Sequence, residues 1–550
     1  MKDMILIFPP AHDFTMPYSA MGIIKAYIEN QSKMSIEILD LNLAFYTNLI
    51  QESNLQEYIR ISQDFIERND LTGIIKYIIL FNSKINEVLS HLDNSDKYKL
   101  SKRKISATSF DTLHLNDILK ESEKADDSIM NLLIKNLDFE KISKAKYVGI
   151  NISVEDQVLC ALFIAIILKK QFPEKPIVMG GNIVSRIPDK FENLRNLKII
   201  DYIIEGEGEL QLLNLFNGQP FSRSDFLQNI NLIKRGLYET YSPNLYLSVF
   251  PVIPILTSRK CSWNKCDFCS IHSSWTKYRN RSIDEVITEI EYYKNLGYKY
   301  FRIIDENFQI KRMISFAKKI INLGWDNLRF EAYTRFEKDF LNSETATLLY
   351  QAGFRQFFWG LESIGEKTIN LVGKTNQFDK NNISEILKNT ANAGILNYVF
   401  VLVGIPNSYI NDEITTVDYI VSNNDIHSVA LGSFVVDCYS PIHLNNNVRK
   451  KYNITLLDEP LRLSTEIPYL SDSEWSKDVI QKRAEEYTKK IYKARKDLAL
   501  SSSLNEEERF ILSDYFGNNF CKKISEDDTL NECVNVAINN SVKHKIKRGL

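Results

Sequence analysis

The chain has 550 residues, 44% hydrophobic and 25% charged, with a formal net charge of −2. That length holds two or three domains, and the composition is that of a globular protein with a sizeable core. The near-neutral balance excludes general affinity for nucleic acid or an anionic membrane surface, and no apolar run reaches the roughly 18 residues of a membrane span.

Residues 4–10 read as a strand ended by two prolines, too short in its apolar part for a secretion signal. A helix is expected at about 18–30 and a second strand at 35–40. Residues 43–145 run long, polar and helical and read as an insertion or helical cap. The sheet resumes at 147–153, followed by an apolar helix at about 156–171 and strands at 176–182 and 201–209. This alternation predicts an α/β fold that begins with a doubly wound, Rossmann-like domain over 1–218. Ligands of such folds sit beyond the carboxyl ends of the strands. Those ends carry Pro9-Pro10, Ser153, Gly180-Gly181 and Gly206/Gly208, and glycine there lets backbone approach a ligand. No G-x-G-x-x-G follows the first strand, so a nicotinamide cofactor is not expected.

Residues 219–250 read as a linker. A second set of βα units runs over 251–444, with strands expected at 252–256, 300–306, 328–335, 354–363, 398–406 and 428–436. Ser282-Ile-Asp-Glu285 has the form of a capping box opening the first helix. Six such units predict a partial (βα)6 barrel of the TIM type, with its chemistry at the carboxyl ends of the strands. Residues 445–550 turn polar and helical.

The most informative stretch joins the two halves. Three of the seven cysteines, Cys261, Cys266 and Cys269, fall in a loop after the apolar run 252–256. Thiolates suit zinc or an iron–sulfur cluster. A closed zinc site wants four ligands, and His272 is the only near fourth. Three thiolates alone suggest a cluster with one iron left open. The scattered remainder, including Cys521 and Cys533, forms no second metal spacing, and the pattern points to a reducing compartment, the cytoplasm, over a disulfide framework.

The C-x4-C-x2-C loop, with Trp263 after Ser262 and Phe268 before the last cysteine, resembles the cluster loop of the radical S-adenosylmethionine (SAM) superfamily. The common spacing there is C-x3-C-x2-C; the longer first gap resembles members with an N-terminal cobalamin-binding domain. The ordered Pro-Pro, Ser, Gly-Gly and Gly-Glu-Gly-Glu elements of residues 9–209 resemble that domain. The resemblance implies a 4Fe-4S cluster on Cys261, Cys266 and Cys269, and SAM against Phe268, Asp305, Glu306, Arg335, Glu362 and Gly404. It implies cobalamin against Pro10, Ser153, Gln157, Gly180, Gly181, Asn182, Gly206 and Glu207. The Asp-x-His-x-x-Gly motif is absent, and His12 lacks its context, so Ser153, Asp156 or Gln157 is expected beneath the cobalt. The implied activity is C-methylation of an unactivated carbon through a 5′-deoxyadenosyl radical and methylcobalamin. The alternative is a non-methylating radical rearrangement, oxidation or cyclisation. A small-molecule or peptide substrate and an electron donor such as flavodoxin or ferredoxin are the expected partners.

Overall fold

The computed structural model describes residues 2–90, 97–124, 127–271, 275–374, 379–525 and 535. His272 and Cys533 lie outside them.

Five strands form the first sheet: β1 (Met4–Phe8), β2 (Ile36–Asp40), β3 (Tyr147–Asn151), β4 (Ile177–Gly180) and β5 (Tyr202–Ile203). Their order is β2-β1-β3-β4-β5, all parallel. The order reverses between β1 and β3, which opens a crevice at the carboxyl ends of those two strands. The helix Val158–Gln171 is buried from Val158 to Leu168 without a polar stripe. A helix apolar all round must be covered on all sides, and the helices Leu115–Ser122 and Ser128–Asn136 of the insertion cover its outer face. The insertion is not purely helical. Tyr98–Ser101 and Lys104–Ala107 pair as a hairpin, whose turn brings Arg103 to Asp13 in the loop after β1.

The second sheet contains β6 (Val252–Ile255), β7 (Tyr300–Ile303), β8 (Arg329–Thr334), β9 (Phe354–Glu362), β10 (Leu396–Val403) and β11 (Ser428–Ser433). They lie side by side in sequence order, all parallel. This is the expected six-stranded partial barrel. Its β11 edge is covered by the helices Lys477–Ala494 and Lys496–Ser503, which protects backbone groups that an open edge would expose. Ser282 caps the first barrel helix, accepting from the Glu285 amide at 3.3 Å. The amino ends of the strands are closed by the helix Glu506–Phe516, whose Asp514 meets Arg355 at 3.0 Å and Lys299 at 2.9 Å and also pairs with Arg329.

Residues 219–250 are packed rather than loose. Tyr238, Tyr241, Leu247 and Val249 are buried. The Tyr238 amide donates to Tyr293 Oη at 3.0 Å, and that hydroxyl donates to the Gly236 carbonyl at 2.6 Å. The segment thus wedges the first helix, Ser19–Gln31, against the barrel helix Ile283–Asn295. Among the described residues no helix is long and apolar enough to cross a membrane.

The barrel interior holds a polar layer in register: Arg302 lies opposite Glu331, and Glu331 opposite Gln356. Burial pushes the Glu331 carboxyl up to about 8, against the pull of Arg302. The folded chain therefore keeps a proton that the unfolded chain releases near pH 4.5, and stability falls as pH rises from about 4.5 to 8. Glu331→Gln should flatten that part of the Tm–pH profile; an unchanged profile would show that Glu331 does not titrate there.

Candidate functional site

The cysteine loop leaves the barrel after β6 through Thr257 and Ser258. Both are held by Asp305, which follows β7. Its Oδ1 accepts from the amides of Thr257 at 2.7 Å and Ser258 at 2.9 Å; its Oδ2 accepts from their hydroxyls at 2.5 and 2.6 Å. Asp305 is 1% exposed. Both its oxygens are occupied, so its place here is under the loop, not open to a ligand. Ser258-Arg259 then pairs antiparallel with Arg279-Asn280, which ties off the loop at its base.

Inside the loop, the Asp267 amide donates to the Val372 carbonyl at 2.9 Å, and the Asp267 carbonyl accepts from the Ile442 amide at 3.1 Å. The Asp267 carboxylate accepts from Tyr452 Oη at 3.1 Å and Lys451 Nζ at 3.3 Å. Gly373 has a φ of +69°, and a Cβ there would sit 2.5 Å from the Lys265 carbonyl. Backbone from two distant segments thus pins the loop while its thiols stay half-buried. Burial pushes Cys266 up to about 11 and Cys269 up to about 12, and Lys374 and Arg335 pull Cys266 back down. Among the described residues no three Cys, His, Asp or Glu side chains converge on one ion's position. A structural zinc ion requires such convergence. A cubane does not, because each thiolate meets its own iron.

Around the thiols stand the other expected residues. Phe268 packs on an apolar cluster that includes Val372, Leu402, Ile405 and Tyr452. Glu362 has a φ of +58° at a register shift between β9 and β10, a strained conformation for a non-glycine residue. Its Oε1 accepts from Lys374 Nζ at 2.7 Å, and its buried Oε2 has no partner. The Arg335 guanidinium lies 3.9 Å from the centroid of the Trp263 ring. Glu306 receives the Trp275 indole N–H, and burial raises its carboxyl to about 7.

The crevice of the first sheet opens toward this loop. A cavity of about 360 Å³ is lined by Ser153, Gly180, Gly181, Asn182, Gly206 and Glu207 on one side and by Arg259, Ile271, Trp275 and Glu306 on the other. Gly181 has a φ of +106°, and a Cβ there would lie 2.4 Å from the Ile152 carbonyl, so no other residue fits. Pro10 and Gln157 do not line the cavity. Gln157 lies behind it: its Oε1 accepts from the Ser153 amide at 2.8 Å and its Nε2 donates to the Pro9 carbonyl at 2.7 Å. It thereby joins the ends of β1 and β3 where the strand order reverses. His12 lines the cavity, with Nδ1 2.9 Å from the Asp13 carbonyl.

Residues 255–420 match the family model described as the Radical SAM superfamily. The barrel is a radical SAM domain. The whole chain shares its fold with the radical S-adenosylmethionine methyltransferase TsrM from Kitasatospora setae, solved with cobalamin and a 4Fe-4S cluster bound. The TM-score is 0.58 at 13% identity, covering 98% of this chain and 100% of that one. It also matches the cobalamin-dependent S-adenosylmethionine radical enzyme OxsB with aqua-cobalamin bound, at a TM-score of 0.59 and 12% identity, over 99% of this chain and 80% of that one. A curated relative by sequence is the ribosomal protein uS12 methylthiotransferase RimO of Sulfurihydrogenibium sp. (strain YO3AOP1), 22% identical over 182 residues, or 31% of this chain; the chain spans 37% of its length.

Two features of the radical SAM site were not visible in the sequence. Glu207 and Glu209, in the Gly-Glu-Gly-Glu segment, reach across to the base of the cysteine loop. Glu207 Oε2 lies 2.5 Å from Arg259 Nη1 and 3.0 Å from Arg279 Nη1, its Oε1 pairs with Arg279 Nη2, and Glu209 pairs with Arg259. Both oxygens of Glu207 are therefore taken by arginine, although the residue lines the cavity. Its partners lie 52 and 72 positions away in sequence, too far for any local pattern to signal them.

Gly404, with a φ of +83°, is the second. A Cβ there would lie 2.2 Å from Ile480 Cγ2 on the helix Lys477–Ala494, and its amide donates to Glu413 Oε1 at 2.7 Å. Close packing of this helix is enough to demand glycine. Gly404→Ala should cost about 1–3 kcal/mol, the usual range for overpacking, read as a fall in Tm. Ile480→Ala in the same chain should recover part of it; no recovery would mean that the backbone conformation alone carries the loss.

Proposed function

We propose that the chain is a cobalamin-binding radical SAM enzyme that methylates an unactivated carbon of a small molecule. The observation that carries this reading is the shared cavity: the carboxyl ends of β3 and β4 face Arg259, Trp275 and Glu306 beside the cysteine loop across one open space. A corrin on the first sheet would confront the barrel mouth there.

In this reading Cys261, Cys266 and Cys269 hold a 4Fe-4S cluster, and the unpartnered Oε2 of Glu362 accepts from the SAM amine. Arg335, steadied on Trp263, faces the SAM carboxylate, and Phe268 supports the adenine side. Glycines 180, 181 and 206 let backbone approach cobalamin, with Ser153 and Asn182 offering polar contacts. When bound, the cluster and cobalamin supply the electron that cleaves SAM reductively and the methyl group that is transferred. The chain's own residues bind, orient and exclude water. An external one-electron donor such as reduced flavodoxin or ferredoxin serves it, and the unpaired described cysteines suit a reducing cytoplasm.

The test is anaerobic reconstitution of the full chain with iron, sulfide and hydroxocobalamin, followed by reduction in the presence of SAM and a substrate. Methyl transfer yields 5′-deoxyadenosine together with S-adenosylhomocysteine. Deoxyadenosine without S-adenosylhomocysteine would replace methylation by radical rearrangement, oxidation or cyclisation. Neither product would overturn the reading.

A further inference from the structure

The cysteine loop has one side toward the cavity and another toward solvent. On the first side, Arg259 at its base and Ile271 after its last cysteine line the cavity shared with the first sheet. On the other, Asn264 and Lys265 are exposed, and Lys265 directly precedes Cys266. The segment that follows β11 backs the loop here. From the short helix Pro441–Leu444, the Ile442 amide donates to the Asp267 carbonyl at 3.1 Å. Ten residues on, Tyr452 Oη donates to the Asp267 carboxylate at 3.1 Å. Residues 443–451, between these two anchors, are thereby held against the loop.

These segments carry charge of one sign. Arg449, Lys450 and Lys451 follow one another, and Lys265 adds a fourth cation; neither 443–451 nor 261–266 contains a carboxylate. In a chain with a net charge of −2, this is a local feature and not the background. Two of the cations are fixed. Arg449 Nη1 donates to the Ile442 and His443 carbonyls at 3.2 and 2.6 Å. Lys451 Nζ lies 3.3 Å from Asp267 Oδ2 while its side chain stays 54% exposed, and its carbonyl accepts from Asn407 Nδ2 at 2.7 Å. Asp267 itself is buried, so the carboxylate beneath is covered and the cations face solvent. Leu444, 55% exposed, supplies an apolar contact in the same segment.

We infer that Lys265, Arg449, Lys450 and Lys451, with Leu444 among them, form the docking face for an acidic electron-carrier protein. Position and charge both point there. Electron transfer weakens steeply with distance, so a carrier must come to rest close to the thiols. The mouth side of the loop faces the first sheet, and the amino ends of the barrel strands are closed by the helix Glu506–Phe516. The basic face lies one residue from Cys266, and opposite charge both steers the encounter and fixes its register. One electron leaves the reduced carrier and enters the oxidised cluster; no atom crosses the interface. The inference rests on the reading that Cys261, Cys266 and Cys269 hold a reducible cluster, and it names where the external donor of that reading sits.

Binding is measured by titration calorimetry on the anaerobically reconstituted full chain, with an acidic flavodoxin and an acidic ferredoxin, both oxidised, as probes. At least one should bind, and raising the salt from about 50 to about 300 mM should weaken it at least about tenfold. Leu444→Ser with Lys450→Glu changes two exposed side chains. This double variant should weaken carrier binding at least about tenfold and raise the KM for reduced carrier in SAM cleavage to match, while cleavage driven by dithionite stays within about twofold. Lys318→Glu, on the helix Ile310–Asn322 outside this face, should shift carrier binding by no more than about twofold. The inference is overturned if neither carrier binds at low salt, if binding ignores salt, or if the double variant binds as the wild type does. It is equally overturned if a short single-stranded oligonucleotide binds as tightly as the better carrier. The wild-type salt series decides even if the variant does not fold. Dithionite-driven cleavage without carrier binding sinks this inference alone; carrier binding in a chain that never cleaves SAM sinks the cluster reading alone.

Discussion

Cys266→Ala should abolish reductive cleavage of SAM, with 5′-deoxyadenosine falling by at least about 1000-fold, a rise of about 4 kcal/mol or more in barrier. Cys266 is the central thiol of the three, and both cations near it, Lys374 and Arg335, favour its thiolate. With two thiolates left, a cubane has two irons without protein ligands. The fold should survive the change. The loop is pinned by backbone bonds from Asp267 to Val372 and Ile442, and none of these uses the sulfur. The variant should therefore keep a Tm near that of the wild type while losing bound iron, sulfide and visible absorption. A Cys266→Ala chain that still produces 5′-deoxyadenosine under reduction would remove the cluster from this loop.

Glu207→Ala should be the most damaging single change outside the cysteines. Glu207 sits between two buried arginines, Arg259 and Arg279. Its removal leaves Arg279 without a carboxylate and Arg259 with Glu209 only. Breaking a buried pair by deleting one partner costs about 3–5 kcal/mol, because the charge left behind has neither water nor counter-ion. The loss should appear as a fall of several degrees in Tm, insensitive to salt because bulk ions do not reach the cluster. Function should fail with it, since Arg259 and Arg279 form the base of the cysteine loop. Glu207→Gln keeps hydrogen bonds without the charge and should lie between wild type and Glu207→Ala. An Ala variant with wild-type Tm and cofactor content would show that Glu207 does not join the two halves of the protein.

Much of the fold is legible in the sequence. Strand and helix periodicities are local, so the five strands of the first sheet and the six of the barrel could be placed by pattern. The hairpin at 98–107 is not legible there, because its strands are four residues each and largely polar outside. Residues 219–250 read as a linker from prolines and serines. Tyr238 instead packs on Gly22 and donates its amide to Tyr293, while Gly236 is held by Glu289 and Tyr293, and those contacts are distant in sequence.

At the site the division is sharper. Asp305 and Glu306 are adjacent carboxylates at a strand end, and nothing in the sequence separates them. In the fold, successive side chains point to opposite sides. Asp305 is sent under the loop to hold Thr257 and Ser258, and Glu306 into the cavity with Trp275. Gln157 and Pro10 were expected at the cofactor; Gln157 ties Pro9 to Ser153 from behind.

What the sequence by itself determined was the chemistry-bearing loop and the repeating units around it, because thiol spacing and side-chain period are written within a few dozen residues. Only the tertiary structure decided which charges face each other. Arg259 and Arg279 meet Glu207, and Arg302 on the second barrel strand meets Glu507, far along the chain. Such pairs form because burial leaves a charge no solvent, so the chain must bring a distant counter-charge to it. The polar layer of the lumen, Arg302 with Glu331 and Glu507, exists only once those distant segments have met.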